Sequence, residues 1–388
     1  MATFGLVFLG IAYRVAVPER ASALRTRADI WLPLLVWLFV IFTGFYSRHL
    51  DTWWAQVRLL MPFFSLPFVF FWLPPLTTKQ YRGLHFWLIF LVLLAAISTG
   101  SGYFLHHADW LFKLAHGQSI EPTLLWIKPI DHIRFSLILA FCALSSSFFF
   151  LETLDEKVKI NERKKLIHSI FFGFSSLILI LILHLLAVRS GLLAFYATAV
   201  AAVFWWVFHK KHIFTGAFAF ILLATLPLIA FKTIPSVATK FYYSRWDIDQ
   251  LKDGNFGETS DAGRLSSMMT GIYMGNSSPI GGVGFGDIEV ESIYQYALHF
   301  PTATTPPLSP HNQFIYVYAG AGLLGLFLFL SSFFVPIWYY RQNKLFLLAW
   351  SVVFCSYLTE STLATSLGVT FVSFFMGLAA NRYERENV

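Results

Sequence analysis

Three side chains in this sequence stand where their type is costly to keep and useful to have: Arg189, Arg264 and His311. Arg189 lies in the run Ala187, Val188, Arg189, Ser190, Gly191, where two long apolar stretches meet with almost no loop between them. A charge at such a junction either snorkels to an interface or holds an anionic ligand, and charge inside a membrane segment is by default functional. Arg264 follows Ser260 and Asp261, residue types that cap a helix N-terminus. The helix dipole disfavours a cation in that first turn, so the planar guanidinium gains most from a phosphate that the same turn's backbone N–H groups also hold. The plain alternative is an exposed loop arginine. His311, in Ser309, Pro310, His311, Asn312, Gln313, ends a long polar segment where an apolar run begins. Imidazole is the side chain most easily poised near neutral pH to take a proton, and nearby arginines would keep it neutral, as a general base must be. The alternative is a histidine that caps the next helix. His184, about one helical turn before Arg189, and Gly263 and Asn312, beside Arg264 and His311, are candidates for holding these three in place.

Other patterns carry less. Asp247 and Asp249 have the spacing by which many sugar-nucleotide transferases hold a divalent metal, but the pair alone is a weak signal. The segment reads as a solvated loop, and neither a metal nor a cofactor is expected. The run Gly281, Gly282, Val283, Gly284, Phe285, Gly286 lacks the Gly-Lys-Ser/Thr ending of a phosphate loop. It reads as a tight turn that lets backbone come close to its neighbours. His106 and His107 form a pair without further ligands. Cys142 and Cys355 fall inside apolar runs and read as packing residues.

The elements that must position these residues are membrane spans. Of 388 residues, 57% are hydrophobic and 13% charged, with a mean hydropathy of +0.63. A soluble domain carries roughly 25% charged residues, so a soluble enzyme is excluded. Eleven stretches approach span length: roughly 1–17, 30–46, 59–76, 84–100, 132–152, 166–186, 191–208, 213–231, 313–336, 345–359 and 362–380. The first lacks a basic leader and a small-residue cleavage site, so it reads as a span, not a signal peptide. Basic residues collect in alternate connections: Arg14, Arg20, Arg25 and Arg27; Lys79 and Arg82; Lys157 to Lys165; Lys210 and Lys211; Arg341 and Lys344; Arg382 and Arg385. The intervening connections hold only Arg48, Arg58, Lys113, Lys128, Arg134 and Arg189. The positive-inside rule then makes the first set cytoplasmic, explains the net charge of +7 without nucleic acid, and puts Arg189, Arg264 and His311 on the outer face. Three regions follow: spans over 1–231, a large outer loop with short helices over 232–311, and spans with a cytoplasmic tail over 312–388. The loop should contain a helix from Ser260 and an extended proline-rich run from Pro301 to Pro310.

Taken in order, Arg189 to Leu193, Gly263 and Arg264, Gly282 to Gly286, Pro310 to Gln313, Gly320 to Gly325 and the late Leu358 to Leu363 segment resemble the bacterial O-antigen ligase and polymerase superfamily, most of all the ligase. The resemblance is strongest over about 185–380; earlier it rests on hydropathy and on the neighbourhood of Gly44 to Ser47 and Trp53, Trp54. It implies an all-α, GT-C-like bundle of about 11–12 transmembrane helices in the inner membrane, with one large periplasmic loop. The implied reaction moves a glycan from undecaprenyl diphosphate to a sugar hydroxyl of lipid A-core. Arg189 and Arg264 would bind the diphosphate, and His311 would be the base. Two guanidiniums can stabilise a diphosphate leaving group without a metal, and a single displacement with one base inverts the anomeric carbon. An O-antigen polymerase or a protein O-oligosaccharyltransferase would use the same residues with another acceptor. A flippase or transporter is disfavoured, because the span centres are nearly free of charge and no repeat is evident. Oligomeric state is left open.

Overall fold

The computed structural model describes residues 24–116, 118, 131–154, 162–210, 213–252, 260–301 and 307–387. The predicted span at 1–17 lies outside them, as do Lys157, Lys159 and residues 302–306 of the proline-rich run. Among the described residues every regular element is helical. Eight stretches of the described residues are long and apolar enough to cross a membrane: Ala28–Phe45, Leu50–Trp72, Thr78–Leu105, His132–Leu154, Glu162–Leu186, Arg189–His209, Ile213–Thr233 and Gln313–Tyr339. They bear out an all-α polytopic membrane protein. Many of their outward side chains are large and apolar, Phe174, Phe208, Phe218 and Phe327 among them, as a lipid-facing surface requires.

The helices are α1 (Ala28–Phe42), α2 (Leu50–Trp72), α3 (Thr78–Leu105), α4 (His107–Ala115), α5 (His132–Leu154), α6 (Glu162–Leu186), α7 (Arg189–Lys210), α8 (Ile213–Thr233), α9 (Pro235–Lys252), α10 (Ser260–Ser277), α11 (Ile288–His299), α12 (Gln313–Tyr339), α13 (Lys344–Thr359) and α14 (Ser366–Asn387). Several boundaries differ from the hydropathy reading, and two show why. Helix α2 starts at Leu50, well before residue 59, because its first turns carry Asp51, Gln56 and Arg58, which lower hydropathy without breaking a helix. The stretch at 362–380 divides into a 3-10 turn, Thr362–Ala364, and α14, which runs on past the apolar residues.

The chain forms two compact units. One comprises residues up to Tyr81 together with 248–350 and 357–388; the other comprises 82–247 and 351–356. In the first, α2 packs on α14 and α1, while α12 packs on α1 and α10. Its end near the N-terminus of α1 is tied by a buried ion pair, Arg27 Nη2 to Asp29 at 2.7 Å, with Tyr340 bonded to both partners. Asn381 of α14 closes the end of α2: its Nδ2 donates to the Phe70, Leu73 and Pro74 carbonyls at 2.8, 3.1 and 3.1 Å, and its Oδ1 accepts from the Leu76 N–H at 2.8 Å. In the second unit, α5 packs on α6 and α7, and α8 packs on α7.

Candidate functional site

Helix α10 is described from Ser260, where the sequence leads one to expect a helix, with Asp261 in its first described turn and Arg264 just beyond it. Asp261 stands 3.9 Å from the Arg264 guanidinium, a negative charge that suits this helix end. One turn on, the Ser267 hydroxyl donates to the Arg264 carbonyl at 2.7 Å and accepts the His311 backbone N–H at 3.2 Å. It thus pins His311 against the turn that carries Arg264.

The histidine does not cap α12. That role falls to Asn312, whose Oδ1 accepts from the Phe314 and Ile315 N–H groups at 2.9 and 3.1 Å. Its Nδ2 donates to the Leu358 carbonyl at 3.1 Å, and Gln313 Oε1 accepts the Leu363 N–H at 2.7 Å. These two residues therefore fix the turn between α13 and α14 beside His311. From that turn comes Glu360, whose side chain is 3% exposed. Its Oε1 is 3.3 Å from Arg264 Nη2, and its Oε2 is 4.0 Å from His311 Nε2. The other imidazole nitrogen, Nδ1, is 2.9 Å from the Ser309 carbonyl. A carbonyl only accepts, so Nδ1 carries the hydrogen in the neutral ring and Nε2 keeps its lone pair. Arg264, His311 and Asn312 thus share one cluster, completed by Ser267 and Glu360. Gly263 adds little: a Cβ there would meet only Leu308 Cδ1, at an ordinary 3.6 Å.

The cluster hangs on a break in α12. At Gly322 the backbone turns to φ 61°, ψ −163°, a region essentially reserved for glycine. The bonds that Leu323 and Leu324 would make to Ala319 and Gly320 in a continuous helix are exchanged for four bonds to the glycine-rich turn. Leu323 N–H donates to the Pro279 carbonyl at 2.8 Å and Leu324 N–H to the Ile280 carbonyl at 3.3 Å. In return, the Val283 and Gly284 N–H groups donate to the Ala319 and Gly320 carbonyls at 2.9 and 3.1 Å. A broken span is tolerable only when its backbone is satisfied in this way. Gly282, at φ 71°, has no room for a Cβ against the Gly320 and Ala321 backbone. The sequence reading of this run as a close-approach turn is correct, and the α1–α2 connection braces it from the other side. Tyr46 Oη donates to the Gly281 carbonyl at 2.6 Å, and Asp287 accepts the Arg48 and His49 N–H groups at 3.0 Å and lies 2.7 Å from His49 Nδ1. Burial pushes the Asp287 carboxyl up, but these donors outweigh it and hold it below the ordinary aspartate value.

Arg189 belongs to the second unit and is the first residue of α7. The corner before it is tight: α6 ends at Leu186 and Ala187 sits at φ 49°, strained for a residue with a Cβ. His184 supports this corner, with Nε2 2.6 Å from Tyr196 Oη and Nδ1 2.7 Å from the Ile180 carbonyl. Helix α9 lies alongside: Ser236 Oγ donates to the Leu185 carbonyl at 2.8 Å, and Arg189 Nη1 donates to Ser244 Oγ at 3.2 Å. On the same helix Asp247 is buried, whereas Asp249 is exposed and pairs with Lys252 at 3.2 Å. The expectation of a solvated loop is therefore corrected. Residues two apart on a helix face away from each other, so these carboxylates are not a metal pair.

Residues 174–330 match the family described as O-antigen ligase. That match supports the O-antigen ligase and polymerase superfamily. No curated protein matches the chain. The O-antigen ligase match takes in His184, Arg189, Gly263, Arg264, His311 and Asn312, and it stops within α12. Glu360 and Gln313's partner turn lie beyond it. Glu360, within the Leu358 to Leu363 segment, is a residue of the cluster that the sequence alone did not single out. The signal was present: an acidic side chain between two apolar runs, on the side to which the positive-inside rule also assigns Arg264 and His311.

Proposed function

We propose that this protein is an inner-membrane glycosyltransferase that moves O-antigen glycan from undecaprenyl diphosphate to a sugar hydroxyl of lipid A-core on the periplasmic face. The observation that carries the reading is the presence of a forked cation, Arg264, and an imidazole held by a carbonyl at Nδ1, His311, in one cluster of a chain that matches the O-antigen ligase family. Members of that family transfer lipid-linked glycans. The positive-inside pattern of the sequence supports the periplasmic side for this end of the helices.

In this mechanism Arg189 and Arg264 bind the donor diphosphate. His311 Nε2 takes the proton of the acceptor hydroxyl as its oxygen attacks the anomeric carbon. The carbon–oxygen bond to the diphosphate breaks, and the two guanidiniums stabilise the charge that develops on the departing oxygen. One displacement inverts the anomeric centre. Glycan transfer is expected to persist in excess chelator; a strict Mn²⁺ or Mg²⁺ requirement would contradict the metal-free mechanism.

The test is a gel of lipopolysaccharide from a strain lacking this protein. Core alone, with polymer accumulating on its lipid carrier and capped core restored by the wild-type chain, is the expected result. Core bearing a single repeat would assign the protein as a polymerase instead. Purified protein that moves the lipid-linked glycan across vesicles without forming a glycosidic bond would overturn the enzyme reading.

A further inference from the structure

Glu360 is a buried carboxylate between a cation and a base, and burial of that kind is costly unless the charge is used or compensated. Among the described residues the imidazole faces Glu360, from the turn after α13; Glu360 in turn meets Arg264 of α10, and Asp261 stands beside that guanidinium. Glu360 contacts the guanidinium at hydrogen-bond range through one oxygen, while its other oxygen faces Nε2 at 4.0 Å, too long for a hydrogen bond. With Arg264 in place, the carboxylate is largely neutralised by the guanidinium. A ligand that draws Arg264 away leaves the same carboxylate facing the imidazole.

We propose that Glu360 is a positioning residue that links donor binding to the activation of His311. The proposal rests on the assignment of His311 as base and Arg264 as diphosphate ligand. When the donor diphosphate takes up the Arg264 fork, Glu360 turns its charge toward His311 Nε2. There it stabilises the imidazolium formed as the acceptor hydroxyl gives up its proton, because an opposite charge within a few ångströms favours the charged form. The carboxylate itself neither gains nor loses a proton. Before the donor binds, the guanidinium suppresses that charge, and His311 is a weaker base. The base is therefore strong only with the donor present, which orders the reaction: donor first, then deprotonation of the acceptor.

The experiment uses the full chain reconstituted in vesicles, with undecaprenyl-diphosphate glycan and lipid A-core as substrates. The rate is followed against pH for wild type, Glu360→Gln, Glu360→Asp and His311→Ala, and each variant's melting temperature is recorded. For Glu360→Gln the expected result is a kcat about 10- to 100-fold down, a part of what a general base contributes, with the acid limb of the kcat profile moved to lower pH. Glu360→Asp, which keeps the charge, should recover rate and move the limb less. A purely structural Glu360 would lower the melting temperature and leave the profile of the surviving enzyme in place, and that result overturns the proposal. If Glu360→Gln does not fold, Glu360→Asp decides: a displaced acid limb supports the link and an unmoved one ends it. An active His311→Ala would instead overturn the base assignment, whereas an inactive His311→Ala beside a wild-type profile for Glu360→Gln would remove this inference alone.

Discussion

Arg264 and Arg189 are assigned to a diphosphate because a guanidinium presents a planar fork, and a lysine in the same place would keep the charge but lose the fork. Arg264→Lys should therefore raise the donor KM and cut kcat/KM by about 10- to 100-fold, a loss of roughly 1.4–2.7 kcal/mol of transition-state binding, measured by donor titration in the same vesicles. A second prediction concerns Asp287, whose carboxyl is held below its ordinary value by the N–H groups of Arg48 and His49. A depressed carboxyl contributes stability that is present above the ordinary aspartate range and is lost as pH falls through the lower folded value. The melting-temperature gap between wild type and Asp287→Asn should thus be full at neutral pH and shrink below about pH 4. A gap independent of pH would contradict the assignment of the carboxylate as the anchor. Arg264 and His311 were legible because each stands out by type against its surroundings. Glu360 was not, since its contact with Arg264 spans 96 residues of sequence and only the folded α13–α14 turn makes it.

The element on which the site depends is α12. Its residues read as one apolar run, and nothing in hydropathy distinguishes a continuous helix from one opened at Gly322 to admit another segment. The glycine-rich turn was legible as a turn because its composition gives it few other uses; its partner was not, because the pairing is made by backbone atoms that every residue carries. Gly322→Ala should cost about 1–3 kcal/mol from backbone strain, with a further penalty for a Cβ driven against Ile280. The expected readout is a lower melting temperature together with loss of transfer, since the turn between α10 and α11 could no longer seat. Gly83→Ala, where a Cβ meets nothing, is the control and should behave as wild type. Equal behaviour of the two variants would remove the break from the account. Helix α10 shows the opposite case, since a helix over Ser260 and the residues after it was expected from the sequence and is found.

At the scale of the molecule, spans were the most legible feature, because roughly 20 apolar residues in a row have few alternatives to crossing a membrane. Their grouping was not legible: the first unit joins the N-terminal helices α1 and α2 to the C-terminal half, an association of segments remote in sequence. The buried Arg27, Asp29 and Tyr340 cluster is part of that association, and breaking a buried pair by removing one partner costs about 3–5 kcal/mol. Arg27→Ala should accordingly lower the melting temperature of the whole protein far more than Arg25→Ala, whose side chain is exposed. On the proposed function, transfer depends instead on the few groups around Arg264 and His311. The most direct measurement is glycosidic bond formation by purified protein in vesicles holding only undecaprenyl-diphosphate glycan and lipid A-core. Wild type should join the two, and His311→Ala, at an unchanged melting temperature, should be slower by about 10²- to 10⁴-fold, the usual contribution of a general base. A folded His311→Ala that transfers glycan at the wild-type rate would contradict the account.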